Sequence, residues 1–525
     1  MRNLILLFLS FSPLMMVAQD YYSFNHEMYD DVGQYLHELS NESHTSIKPL
    51  NFDYKLVSLR TPPIATKFKA LNNFLGGRFY SVEGEDFKLQ VNPLFNFSVG
   101  KENNQKIFVN TRAVEVKGQV GHNVSFYSSF YENQAVLPQY VEDYIWDHEL
   151  TVPGQGESKW YDPASSHALD FAMANGHVSY QASKHFNFQF GHGKHFIGDG
   201  YRSMLLSDNS FNYPYLKVTT EFWKIKYVNL FSSYQDLRNE FAIDEVNRKK
   251  FSAIHYLSYN LSKRLNVGVF EAIIWEQDTM GRTFDVNYLN PIIFYRPIEF
   301  SLGSRGGNAL MGASVKFKIT DNAHLYSQFI IDEFKISELK ARNGWWANKY
   351  AGQFGGKCFD VLGVENLVIQ SEFNFARPFM YSHHRALQSY THYNQPLAHP
   401  LGASFVENVS FVRYRYNRWY AELKALYAIH GVEIAGDPIN YGSDVLTSYN
   451  EGVRMDTGNE IAQGNTTALQ IIDFKIGMLI NPVTNMKLEV GVMDRTTTPD
   501  FTDPTNTTYL YVGFKTDLRN LYYDF

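Results

Sequence analysis

From about residue 88 to the end of the chain, apolar and polar residues alternate with a period of two. Between residues 367 and 376, Leu367, Ile369, Phe373 and Phe375 fall on one face of an extended chain, and Val368, Gln370, Glu372 and Asn374 on the other. Trp419, Ala421, Leu423, Ala425, Tyr427 and Ile429 likewise oppose Tyr420, Glu422, Lys424 and His430. Ala468, Ile472, Phe474, Ile476, Met478 and Ile480 oppose Asp473 and Lys475. This period belongs to strands with one apolar and one polar face. The runs are 10 to 15 residues long, longer than most sandwich strands, and a tilted membrane strand needs about 9–11. Lipid demands that every backbone N–H and C=O be paired, and closure into a barrel achieves that.

Eighteen such strands are predicted, near 88–100, 106–119, 121–133, 167–182, 185–195, 213–222, 224–236, 250–261, 264–276, 306–319, 323–333, 350–360, 364–377, 404–416, 418–430, 466–480, 484–496 and 506–516. Their connections alternate short and long, except for a short first hairpin at Asn103–Asn104 and a short last one near Pro499. Turns on one side and long loops on the other predict an all-β, transmembrane antiparallel outer-membrane β-barrel. Loops would be extracellular and both termini periplasmic. The alternation of Leu510, Val512 and Phe514, read on to a terminal Phe525, is similar to the signal that barrel-assembly machinery reads.

The first residues, MRNLILLFLSFSPLMMVAQD, have a basic Arg2, an apolar stretch and a small Ala18, the pattern of a secretory signal peptide over 1–18. Residues 19–87 read as a small periplasmic region. There Met28, Val32, Tyr35, Leu36 and Leu39 recur at helical spacing within Glu27–Asn41, and Thr61–Pro62–Pro63 breaks the chain. Residues 88–525 form the barrel. Composition agrees: 16% of residues are aromatic and only 19% charged, against roughly 25% charged in ordinary globular proteins. A net charge of −7 without a basic stripe argues against nucleic acid as a partner. The single Cys358 excludes a disulfide framework and a cysteine zinc site.

The candidate chemistry lies on the loop side. Gly191, Gly193, Gly198 and Gly200 suggest a phosphate loop, but no parallel βαβ unit follows and the spacing of Lys194 does not match. A tight loop folding into the lumen accounts for them better. His383, His384, His392 and His399 lack the spacing of a metal motif, and no cofactor is read. Gly-x-Ser-x-Gly is absent, and nothing makes Asp199 and Asp208 face each other as a glycosidase pair, so the reading is not an enzyme. Trp345 and Trp346 suit stacking on sugar rings or an interfacial girdle equally. Asp199, Arg202, Asp208, Asn209, Tyr295, Arg296, Glu299, Trp345, Trp346 and Arg377 are the candidate glycan contacts.

The segments FIGDGYRSMLLSDN and NYPYLKVTTEFWKIKY resemble the capsule-assembly Wzi family, and within it the gliding-motility RemB group of Bacteroidetes. HYLSYNLSKRLNVGVFEAIIW, NYLNPIIFYRPIEF, NKYAGQFGGK, ARPFMYSH and LAHPLGASF support the resemblance from about residue 50 to 450. It implies an eighteen-stranded outer-membrane barrel with a helical periplasmic region. It also implies a protein that holds capsular polysaccharide without making or cutting it, or a surface component of gliding. The family's asparagine-rich loop is represented only by Leu206–Ser207–Asp208–Asn209, so its glycan specificity does not carry over. The expected partners are outer-membrane lipid, surface polysaccharide, the assembly machinery, and motility or secretion proteins. The alternatives are a porin-like channel and a structural partner in such a complex.

Overall fold

The structure is a computed structural model that describes residues 25–50, 67–160, 168–242, 246–277, 284–292 and 307–525. The expected leader and the break at Thr61–Pro63 lie outside these residues.

Eighteen long strands form the wall. They are β1 (Phe87–Glu102), β2 (Gln105–Val120), β3 (Val124–Val136), β4 (Leu169–Gln181), β5 (Phe186–Gly193), β6 (Tyr213–Phe222), β7 (Ile225–Asp236), β8 (Arg248–Asn260), β9 (Leu265–Glu276), β10 (Asn308–Lys318), β11 (Ala323–Ile331), β12 (Tyr350–Cys358), β13 (Leu367–Ala376), β14 (Phe405–Tyr416), β15 (Trp419–His430), β16 (Thr467–Asn481), β17 (Met486–Pro499) and β18 (Thr505–Thr516). Each pairs antiparallel with the next. Tyr509 of β18 opposite Glu102 of β1, down to Lys515 opposite Asn96, closes the barrel. Short turns mark one end and long loops the other, as the spacing predicts.

The wall is inside out relative to a soluble sandwich. On β16, Ile472 and Phe474 are 50% and 42% exposed, while Asp473 between them is 7% exposed. The same inversion puts Phe354, Phe373, Leu423, Val490 and Leu510 outside and Gln353, Glu372, Glu422 and Glu489 inside. Apolar residues facing out and polar ones facing in are what lipid outside and a polar lumen require.

Among the described residues, a helix, two connections and the tail fill the lumen. Helix α1 (His26–His37), capped by the Asn25 side chain, sits inside the short-turn end. The helical spacing over Glu27–Asn41 is realised here, packed within the barrel rather than beside it. Its acidic residues meet basic wall residues: Asp30 with Lys357 and Arg413, Asp31 with Arg415, and Glu27 with Lys487. The connection between β5 and β6 and the one between β13 and β14 fold inward and share a buried core that includes Ile197, Met204, Leu205, Leu206, Met380, Tyr381 and Leu397. The tail after Thr516 joins them. The chain leaves the wall there, and Phe525 ends within the barrel on the loop side. Its carbonyl accepts from Arg495 Nε and Nη2 at 3.1 and 2.9 Å, and its ring lies 4.5 Å from Tyr144. The alternation therefore stops at Thr516 and does not continue to Phe525, and the carboxyl-terminal residues lie on the loop side. The polar groups of the tail find their partners in the lumen.

One connection packs on the outside. The outward residues Phe231, Phe251, Ala253, Ile273 and Trp275 of β7–β9 are buried by Phe284 and Tyr288, with the Trp275 and Tyr288 rings stacked at 4.2 Å. Tyr227 on the same face donates to the carbonyl of Pro291 at 2.7 Å. Tyr295, Arg296 and Glu299 lie outside the described residues, but the described part of their connection packs on the outer wall, not in the lumen.

Candidate functional site

The seven described candidate residues do not converge on one site. Asp199, Arg202, Asp208 and Asn209 belong to the connection between β5 and β6, pressed against the lumenal wall. Glycine permits the close approach: a Cβ on Gly200 would come within 2.6 Å of Glu372 Oε2. Just beyond it, the amides of Tyr201 and Arg202 donate to the Glu372 carboxylate at 2.8 and 2.9 Å. The Arg202 guanidinium, 1% exposed, lies between Glu407 of β14 and Asp524 of the tail, at 3.0 Å from each carboxylate. It also donates to the Asp524 carbonyl at 3.0 Å.

Asp208 accepts from Asn520 Nδ2 at 2.9 Å and Tyr522 Oη at 2.8 Å. Asn209 donates to the Pro396 carbonyl at 3.1 Å, joining the two inward connections. Asp199 accepts from Thr45 and pairs with Lys316 at 3.6 Å. All four side chains are consumed by anchoring. Burial raises the Asp524 carboxyl, but Arg202 and Lys424 outweigh it and hold its pKa below the ordinary value, so the anchor keeps its charge.

The four histidines separate as well. His399 Nε2 lies 2.8 Å from Glu407. His392 Nδ1 accepts from the Gln235 amide and its Nε2 donates to the Asn212 carbonyl, both at 3.0 Å. His383 and His384 contact each other at 3.1 Å.

The wall beside the tail is also paired internally. A cavity of about 290 Å³ there is lined by Arg413, Glu422, Lys424, Asp473, Lys475 and Lys515. Arg413 and Lys475 pair with Glu422 at 2.6 and 3.2 Å, and Lys424 pairs with Asp524 at 3.2 Å.

Trp345, Trp346 and Arg377 do come together, half-exposed on the loop side. The connections after β11 and β15 are laced by backbone bonds: Trp346 N to Asp456 O at 3.1 Å and Gly458 N to Asn343 O at 2.7 Å. This lacing brings in two residues the sequence did not single out, Tyr449 and Arg454. The Arg454 guanidinium carbon is 3.5 Å from the Trp346 ring centroid, and the Tyr449 ring is 4.8 Å from it. Arg377 Nη2 reaches the carbonyls of Trp345 and Asn459 at 3.4 and 3.3 Å. Neither Arg377 nor Arg454 has a carboxylate partner among the described residues; Arg454 donates to the Tyr449 carbonyl and to Asn450 Oδ1. Neighbouring aromatic rings, tilted to each other by 41° and 47°, beside guanidiniums offer apolar surface and several N–H donors, the two features a sugar ring with its hydroxyls engages.

No family model matches the sequence, and no curated protein matches it either. Among solved structures, Wzi from Escherichia coli, an outer-membrane protein involved in group 1 capsule assembly and described as a carbohydrate-binding β-barrel, aligns with a TM-score of 0.53. The alignment covers 95% of this chain and 99% of that one at 12% identity. OccK1 from Pseudomonas aeruginosa aligns at 0.44 with 8% identity, covering 82% of this chain and 98% of that one. OprD from the same organism aligns at 0.42 with 9% identity, covering 82% and 95%. The likeness to Wzi is one of fold, that of an outer-membrane barrel.

Proposed function

We propose that the protein is an outer-membrane barrel that binds surface polysaccharide on the loop-side cluster of Trp345, Trp346, Tyr449, Arg377 and Arg454. The observation that carries this reading is the pairing of half-exposed aromatic rings with guanidiniums that have no carboxylate partner. Helix α1, two inward connections and the tail occupy the lumen, which favours a binding surface over a channel. That Wzi is a carbohydrate-binding barrel of the same fold is consistent with the reading. Asp199, Arg202, Asp208 and Asn209 serve it by holding the inward connections in place, not by touching the glycan. A role in gliding or adhesion is a finer version of the same proposal, carried by the sequence resemblance alone.

The test is a titration of the folded barrel in detergent with polysaccharide from its own cells. Saturable binding without shortening of the polymer is expected, and Trp346→Ala should weaken it by about 1 kcal/mol, roughly five-fold. No binding by a folded barrel, or steady single-channel conductance, would refute the proposal.

A further inference from the structure

The outer wall carries an unmatched basic patch at the loop-side edge of its apolar band. On β1 the outward residues run Phe97, Val99 and Lys101, with Phe97 and Val99 being 49% and 60% exposed. On β18 the outward residues run Val512, Leu510 and Thr508, and Leu510 sits directly opposite Lys101. The change from apolar to polar at this level marks the upper limit of the lipid-facing surface.

Lys101 is also directly opposite Lys106 of β2, and both are exposed. Side chains opposed in this way lie about 5 Å apart at Cβ, and like charges there are destabilising. Neither lysine makes an ion pair among the described residues. Farther along β2, Arg112 faces outward beside Phe95 on one strand and Glu132 on the other. Its Nη2 lies 3.4 Å from Gln134 Oε1. Arg112 lies six residues, roughly 20 Å, down the strand from Lys106 and beyond the level of Val99 and Phe97, so the two lysines alone stand where acyl chains meet headgroups. An anion between Lys101 and Lys106 would convert their repulsion into attraction.

We propose that this face of β1 and β2 binds the phosphate-bearing headgroup of the outer-leaflet glycolipid, with Lys101 and Lys106 on the phosphate and Phe97 and Val99 against the acyl chains. The proposal rests on the outward orientation of the long loops, not on glycan binding by the loop-side cluster. It makes the lipid a specific partner of one sector of the wall.

Native mass spectrometry of the detergent-solubilised full chain tests it with three probes: lipid A carrying two phosphates, phosphate-free lipid A, and phosphatidylglycerol. The two-phosphate form should be retained about ten-fold more tightly than the phosphate-free form, since each basic residue near an anionic surface contributes. The preference should shrink as salt rises. The combined variant Lys101→Gln, Lys106→Gln should lose the preference. Equal retention of both lipid A forms by the wild type overturns the proposal without reference to any variant. Equal retention of phosphatidylglycerol overturns the assignment to the outer-leaflet glycolipid, and an unchanged preference in the folded variant overturns the choice of residues.

Discussion

Replacing Arg202 by Met tests what holds the inward connections in place. Met fills much of the same volume but leaves Glu407 and Asp524, 0% and 1% exposed, without their shared cation. Removing one partner of a buried ion pair costs about 3–5 kcal/mol, because a desolvated charge remains. His399 still faces Glu407, and Lys424 still faces Asp524, which puts the cost at the lower end, about 3 kcal/mol. The loss falls on the packing of the inward connection, since the hydrogen-bond ladder of the wall does not involve this side chain.

Hydrogen exchange should therefore change locally. The Ile197 amide bonded to Leu206 O and the Ser207 amide bonded to Leu397 O, both at 2.8 Å, report on that connection. Their protection should fall by roughly two powers of ten, while the amides of β1 and β2 hold. Adding Glu407→Gln and Asp524→Asn to Arg202→Met should recover most of the protection, because no uncompensated carboxylate then stays buried. If Ile197 and Ser207 exchange at the wild-type rate in Arg202→Met, the guanidinium is not the anchor and the argument fails.

His392 makes the interior acid-sensitive. Burial pushes its imidazole down to about 3, and its Nδ1 accepts a backbone N–H that a protonated ring would oppose. A base with a depressed folded pKa gives stability that is complete above its unfolded value of about 6.5 and is lost as pH falls toward 3. Protease cleavage within residues 377–404 should rise between pH 6.5 and 4, and a His392→Gln variant should show a flatter dependence; identical profiles would refute this. For orientation, Ile336 and Leu362 are 61% and 96% exposed at the loop and turn ends. In a Cys358→Ser background, an impermeant maleimide should label Ile336→Cys but not Leu362→Cys on intact cells, and the reverse pattern would invert the assignment.

The wall was legible because one physical rule, apolar outward and polar inward, repeats at every strand and needs no knowledge of partners. Lys475 and Phe474 could be assigned to opposite faces from their neighbours alone. The interior was not legible in the same way. Arg202 and Arg377 are both arginines on long connections, yet Arg202 is buried by Asp524, 322 positions away, and Arg377 is half-exposed beside Trp345. Nothing local to either residue separates them. The tail misled because Phe514 and Phe525 look like one continuing pattern, although Asp517 and Asp524 between them mark a segment that needs polar partners. A visible sign for the outer strap was passed over: β8 reads RKKFSAIHYLSYN, apolar on both faces from Phe251 to Leu257. A strand facing lipid on one side and a polar lumen on the other has no need of that. Tyr449 and Arg454 carried no signal of their own and became candidates only through the backbone bonds that place them against Trp346.

The filled interior bears on how the loop face can bind. Inside the barrel, cations and carboxylates are matched to each other across strands, helix and tail, so an acidic or basic ligand would have to break pairs to enter. Arg377 and Arg454 above and Lys101 and Lys106 at the edge have no carboxylate partner among the described residues and lie where a ligand meets no such cost. The loop surface also rests on a packed support. Phe379 N donates to Gly442 O at 2.7 Å, tying the inward connection to the outer one that carries Tyr449 and Arg454. Rings held this way lose little freedom on contact with a glycan, and a pre-ordered surface keeps more of its contact energy as affinity. Anchoring and binding are therefore coupled: loosening Arg202 should weaken glycan binding without touching a single contact residue.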